Sequence, residues 1–125
     1  MSEVADKILE AREKMNNRGK HWLRGAFRSK NPKTQEVSFC AVGACREVGN
    51  KRINPKLYHY LFLALPEDYR RISRWHYGQR QDVEKPTNGE KMNAIIRFND
   101  SHKQTWGGVS KLFRKAARLA ERDGA

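Results

Sequence analysis

The sequence predicts a mainly α fold, a single compact helical domain over residues 1–125 with a small β-hairpin near the N-terminal third. Three observations carry this. Apolar residues recur at helical spacing near both ends, as Val4, Ile8, Ala11 and Met15 and again as Val109, Leu112, Phe113, Ala116, Leu119 and Ala120. Phe39 to Cys45 runs without a charge or large polar group in a chain of which 32% of residues are charged, and a helix apolar all round belongs in a core. Trp22, Phe27 and Val37 flank Asn31-Pro32-Lys33-Thr34, a turn between short extended segments.

The elements follow in order. Ser2 caps a first helix that runs to about Asn16, with Glu3 and Asp6 near its positive end. The hairpin spans about Trp22 to Val37. A central helix from about Ser38 to Val48 follows, closed by Gly49-Asn50, and the smallness of Gly43 and Ala44 lets neighbours press against its backbone. The amphipathic helices are expected to lean on it. Asn54 caps a third helix with Pro55 at its first position. Pro66 ends that helix and opens a fourth, whose Tyr69, Ile72, Trp75 and His76 point to the core, with Arg70, Arg71 and Arg74 on another face. Gly78 to Gly89 reads as a long mobile loop. Met92, Ile95, Ile96 and Phe98 form a short buried helical segment that Asn99-Asp100-Ser101 breaks, and a last helix runs from near Thr105 to about Arg122.

Composition bounds the function. The net charge is +12 and the sequence pI about 10.1, which favours a polyanionic partner. No run of 18 apolar residues exists, so no span of a membrane is expected. The N-terminus lacks a signal peptide's apolar stretch, which predicts a cytoplasmic protein. On a helix, Cys40 and Cys45 point about 140° apart with Cα atoms roughly 8 Å from each other, too far for a disulfide. Two buried free thiols fit a reducing compartment.

Trp22-x-x-Gly25-Ala26, Cys40-Ala41-Val42-Gly43-Ala44, Ile95-Ile96-Arg97-Phe98-Asn99-Asp100 and Val109-x-x-Leu112-Phe113-x-x-Ala116 stand in a familiar order. From about Ala5 to Ala120 the chain resembles a family of small proteins of unknown function, domain of unknown function 6197. The resemblance implies an origin in actinobacteria or their phages and continuity of fold, and it supplies no mechanism. The chain departs from the family where Gly107-Gly108 stand, since members tend to carry acidic residues there and to be near neutral or acidic. The departure makes the positive charge a property of this chain's own task.

The strongest functional signal is the last helix. Lys111, Arg114, Lys115, Arg118 and Arg122 fall within about 100° of arc, with the apolar stripe centred about 140° away. Further basic groups lie at Arg24 and Arg28 and at Arg70, Arg71 and Arg74; from Lys14 to Lys33 there are seven basic residues and no acid. A plainer explanation is a solvated face, since cations suit a helix C-terminus. The function expected is a small basic non-enzymatic binding protein, phage- or mobile-element-encoded, that contacts nucleic-acid phosphates with little sequence preference. A competing expectation is an accessory protein that binds and modulates an acidic host protein. A third is an enzyme with Cys40 as nucleophile and His102 as base, oriented by Asn99 or Asp100. No metal or cofactor is expected: no Cys-x-x-Cys, His-Glu-x-x-His or phosphate-loop pattern occurs.

Overall fold

The computed structural model describes residues 2–16 and 18–125. Among these, six helices and two antiparallel hairpins follow in the order α1 (Glu3–Met15), β1 (Arg28–Lys30), β2 (Val37–Phe39), α2 (Ala41–Val48), α3 (Asn54–Ala64), α4 (Glu67–Arg70), β3 (Ser73–His76), β4 (Gln79–Asp82), α5 (Asn88–Asp100) and α6 (Trp106–Asp123). The mainly α class with an early hairpin is what forms.

Helix α1 starts where Ser2 accepts the Ala5 N–H, 3.0 Å, and buries the expected stripe with Ala5 added. Helix α6 starts at Thr105, whose hydroxyl accepts the Gly108 N–H, and ends at Gly124 in the left-handed conformation. The most extensive packing sets α6 against α1 and α3. Ile8, Met15, Leu57, Leu61 and Phe113 are fully buried in that layer. Across it, Arg12 Nε donates to Ser110 Oγ at 2.8 Å.

Helix α2 is as buried as its composition demands, with Val42, Ala44 and Cys45 all at 0% exposure. It packs on α1, α3 and α5. It is not the sole support, because α6 docks on α1 and α3 instead. A Cβ on Gly43 would lie 1.8 Å from the Phe27 carbonyl oxygen, so the glycine is what lets the β1 approach lie on this helix. Cys40 caps α2 from outside it, its Sγ accepting the Gly43 N–H at 3.3 Å. Helix α3 begins one residue earlier than its Asn-Pro signal suggests, with Ile53 at the cap. Asn50 takes the local capping work there by accepting the Arg52 and Ile53 N–H groups.

The region after Pro66 departs most from expectation. The fourth helix is one turn long, and Arg71 is already extended. Trp75 and His76, at helical spacing in the sequence, lie in strand β3, and Ile72 just precedes it: Trp75 is 76% exposed, and His76 is exposed too. The expected loop is occupied by β4 and by the first turn of α5. Thr87 and Glu90 form a reciprocal capping box that starts α5 well before Met92.

Asn99 does not break the helix it ends. It is buried at 0% exposure and its amide ties three segments together. Its Oδ1 accepts Trp22 Nε1 at 2.8 Å and the Ala41 N–H at 3.1 Å, and its Nδ2 donates to the Leu23 carbonyl at 2.9 Å and to Asp100 Oδ1 at 2.9 Å. The same Asp100 oxygen accepts the Gly25 N–H.

Candidate nucleic-acid interface

On α6, Val109, Leu112, Phe113, Ala116, Ala117 and Ala120 are buried, which leaves the opposite side in solvent. Lys111, Arg114, Lys115, Arg118 and Arg122 are all exposed there. Arg122 is engaged: its Nε donates to Asp123 Oδ1 at 3.2 Å. The Tyr60 hydroxyl donates to the same carboxyl at 3.0 Å and, as the leading cause, holds Asp123 below the usual carboxylate range. The other four form no ion pair among the described residues. Four unpaired cations on one ridge repel each other, and counter-ions or a polyanion relieve this.

The ridge is flanked by two grooves. On one side Arg114 and Arg118 border a groove of about 320 Å³ lined by the apolar Ala5, Leu9 and Ala117 and by the acidic Asp6 and Glu121, where Leu9 is 42% exposed. On the other, Lys111 and Lys115 border a smaller one of about 210 Å³ lined by Ala64, Pro66 and Phe98.

The remaining sequence-predicted cations are elsewhere and mostly committed. Arg24 donates to the Ser101 carbonyl and lies 5.3 Å over the Trp22 ring. Arg28 is exposed at the start of β1. Arg70 is exposed, Arg71 pairs with Glu67 at 3.3 Å, and Arg74 pairs through two nitrogens with Glu90. Residues 70, 71 and 74 do not share a helix face, because the helix ends between them. Sequence reasoning does not single out Arg80 and Arg97, which with Arg71 and Trp75 line a cavity of about 380 Å³ between the second hairpin and α5. Lys20, Lys30 and Lys33, which stand out in the sequence only as part of a basic run, border another of about 570 Å³ beside the first hairpin.

Burial pushes the Cys40 thiol up from its ordinary value, with the Gly43 N–H opposing this, and Cys45 rises further with full burial. A protonated, enclosed thiol is a poor nucleophile, and His102 stands in solvent. Both cysteines are free. Among the described residues no three His, Cys, Asp or Glu side chains group as metal ligands, and no helix is long and apolar enough to cross a membrane.

A family model described as a family of unknown function (DUF6197) matches residues 1–119. The chain belongs to that family. No curated protein and no solved structure matches this DUF6197 chain significantly. Three of the four segments that carried the resemblance meet in the fold: Trp22, Ala41, Asn99 and Asp100 are the hydrogen-bonded node described above.

Proposed function

We propose that this chain is a non-enzymatic nucleic-acid-binding protein that acts in the cytoplasm and contacts phosphates through Lys111, Arg114, Lys115 and Arg118. The observation that carries the reading is four exposed cations without an acidic partner among the described residues, on a helix whose other side is buried. The long side chains reach phosphates as point charges and forks without addressing base edges, so binding is tolerant of sequence and steep in salt. The protonated Cys40 thiol supports a role without nucleophilic catalysis.

The test is fluorescence anisotropy of labelled duplexes at several salt concentrations. Replacing all four residues by Gln is expected to weaken binding at low salt. It should also flatten the salt dependence by up to about one unit of slope for each phosphate that is no longer neutralised. Thermal stability should stay level or rise slightly as like-charge repulsion goes. Equal binding by both proteins rejects the ridge. A second reading, an accessory protein that grips an acidic host protein, is favoured by the exposed Leu9 beside Arg114 and Arg118, in a groove that Asp6 and Glu121 also line. It requires a partner of fixed stoichiometry and a milder salt response.

A further inference from the structure

The second hairpin presents aromatic surface that folding alone does not call for. Trp75 is 76% and Tyr77 94% exposed. Tyr77 and Gly78 form the two-residue loop between β3 and β4 with φ of 51° and 75°, a pair of left-handed residues as in a type I′ turn. Such a turn prefers Asn or Gly at its first position, and a bulky aromatic is disfavoured there. Among the described residues the Tyr77 ring makes one aromatic contact, edge-on with His76 at 4.3 Å between centroids.

The strand register makes Trp75 and Arg80 direct cross-strand partners, so both side chains lie on one face of the ribbon. That face is one wall of the 380 Å³ cavity; the other is α5, through Glu90, Asn93 and Arg97, spaced to share a helix face. Arg71 lines the rim. Arg97 is steadied from outside, donating to the Tyr69 carbonyl at 3.4 Å and lying 5.8 Å over the Tyr69 ring. The single acid, Glu90, is already held by Arg74 and by the Thr87 N–H. Of the three guanidinium groups, Arg71 shares its charge with Glu67 across an exposed pair, and Arg80 and Arg97 form no ion pair among the described residues. The site therefore combines these three with an open indole face and one neutral amide. Its volume lies in the range of about 300–1,000 Å³ typical of small-ligand sites.

We propose that this cavity and the Tyr77 tip bind an unpaired nucleotide within a single strand. The base stacks on Trp75, the flanking phosphates sit against Arg71, Arg80 and Arg97, and a neighbouring base stacks on Tyr77. A stacked duplex base hides its π-face, so this site selects single strands, whereas the α6 ridge takes phosphates from either form. The proposal rests on the nucleic-acid reading and adds to it which form is preferred and where.

The experiment titrates a short labelled oligothymidine strand and a duplex of equal length against wild type, Trp75→Ala, Tyr77→Asn and the Gln ridge variant. Trp75→Ala is expected to weaken single-strand binding on the order of tenfold and leave duplex binding within about twofold. The oligothymidine strand should quench tryptophan emission in wild type and not in that variant. Tyr77→Asn, which suits the turn, should lose single-strand affinity without loss of fold. Unchanged single-strand binding in both hairpin variants overturns the proposal while leaving the ridge in place. A change of elution volume in Trp75→Ala with binding unchanged overturns it too, and makes this face a contact between protein chains. Loss of duplex binding in the ridge variant, with single-strand binding weakened but tryptophan quenching retained, supports two separate sites. Failure of wild type to bind either probe rejects both readings.

Discussion

The β1–β2 and β3–β4 hairpins are both two-stranded, antiparallel and basic, and they stand in opposite relations to the body of the protein. A two-stranded hairpin is marginal by itself in water. The first is sewn in: the Phe39 N–H donates to the His21 carbonyl, its carbonyl accepts from Leu23, its side chain is 5% exposed, and the Phe27 backbone lies on Gly43. The second is held at its base by Val83 N–H donating to the Ile72 carbonyl, by Ser73 to Asp82, and by Arg74 to Glu90. Its aromatic face points to water. The difference is one of anchoring: the first ribbon buries Phe39 in the core, and the second leaves Trp75 and Tyr77 in solvent.

The largest test of that contrast is Asn99→Ala. It strands the buried Ala41 N–H and removes the acceptor for Trp22 and the donor to Leu23. Buried groups left unpaired cost about 1–3 kcal/mol each, so a loss of about 3 kcal/mol or more is expected in urea denaturation. A loss under about 1 kcal/mol would show that apolar packing alone anchors the first hairpin.

A smaller effect probes the second. The Arg74 hydrogen bonds, ahead of the Thr87 N–H, lower the Glu90 carboxyl to about 2. A depressed folded value contributes stability that is present above the unfolded carboxylate value and is lost as pH falls toward about 2. The difference in time-resolved tryptophan anisotropy between wild type and Trp75→Ala, which separates Trp75 from Trp22 and Trp106, should therefore report a loosening hairpin between about pH 4.5 and pH 2. Glu90→Gln should show the loosened state already at pH 5, with no further step below it. A step of equal size in that variant would assign the titration elsewhere.

Smallest is Tyr77→Asn, expected to raise stability by about 0.5 kcal/mol as the left-handed position gains a residue that tolerates it. A fall in the melting temperature would mean that the ring packs, and the contrast between the hairpins would narrow.

How much is legible follows the range of the forces. The α1 stripe with its Ser2 cap, the α6 stripe apart from the half-buried Leu119, and the burial of the Phe39 to Cys45 run depend on local spacing and form as expected. Helix α2, however, starts at Ala41, and Ser38 and Phe39, expected to be helical, belong to β2. Tyr69, Ile72, Trp75 and His76 imitate a helix by spacing alone; the Tyr-Gly turn lacks the Asn or Asp that marks a hairpin, so the ribbon reads as a helix and a loop. The Thr87-x-x-Glu90 box is a readable helix start, masked by the loop signals of Pro86 and Gly89 around it. Asn99 is beyond local reading, since its partners at Trp22 and Ala41 lie 77 and 58 residues away. The ridge is legible because helix phase places it; that Arg122 and Arg74 are neutralised is not, since Asp123 and Glu90 act through side-chain geometry.

The two buried thiols give the molecule an internal clock. Cys45 lies at 0% exposure in α2, against α1, α3 and α5, so a reagent reaches it only when that layer parts. Alkylation of Cys45 thus times the opening of the core. Swinging of the β3–β4 ribbon leaves α2 covered and does not advance it. Substitutions in the ribbon are therefore expected to leave the rate of Cys45 alkylation unchanged.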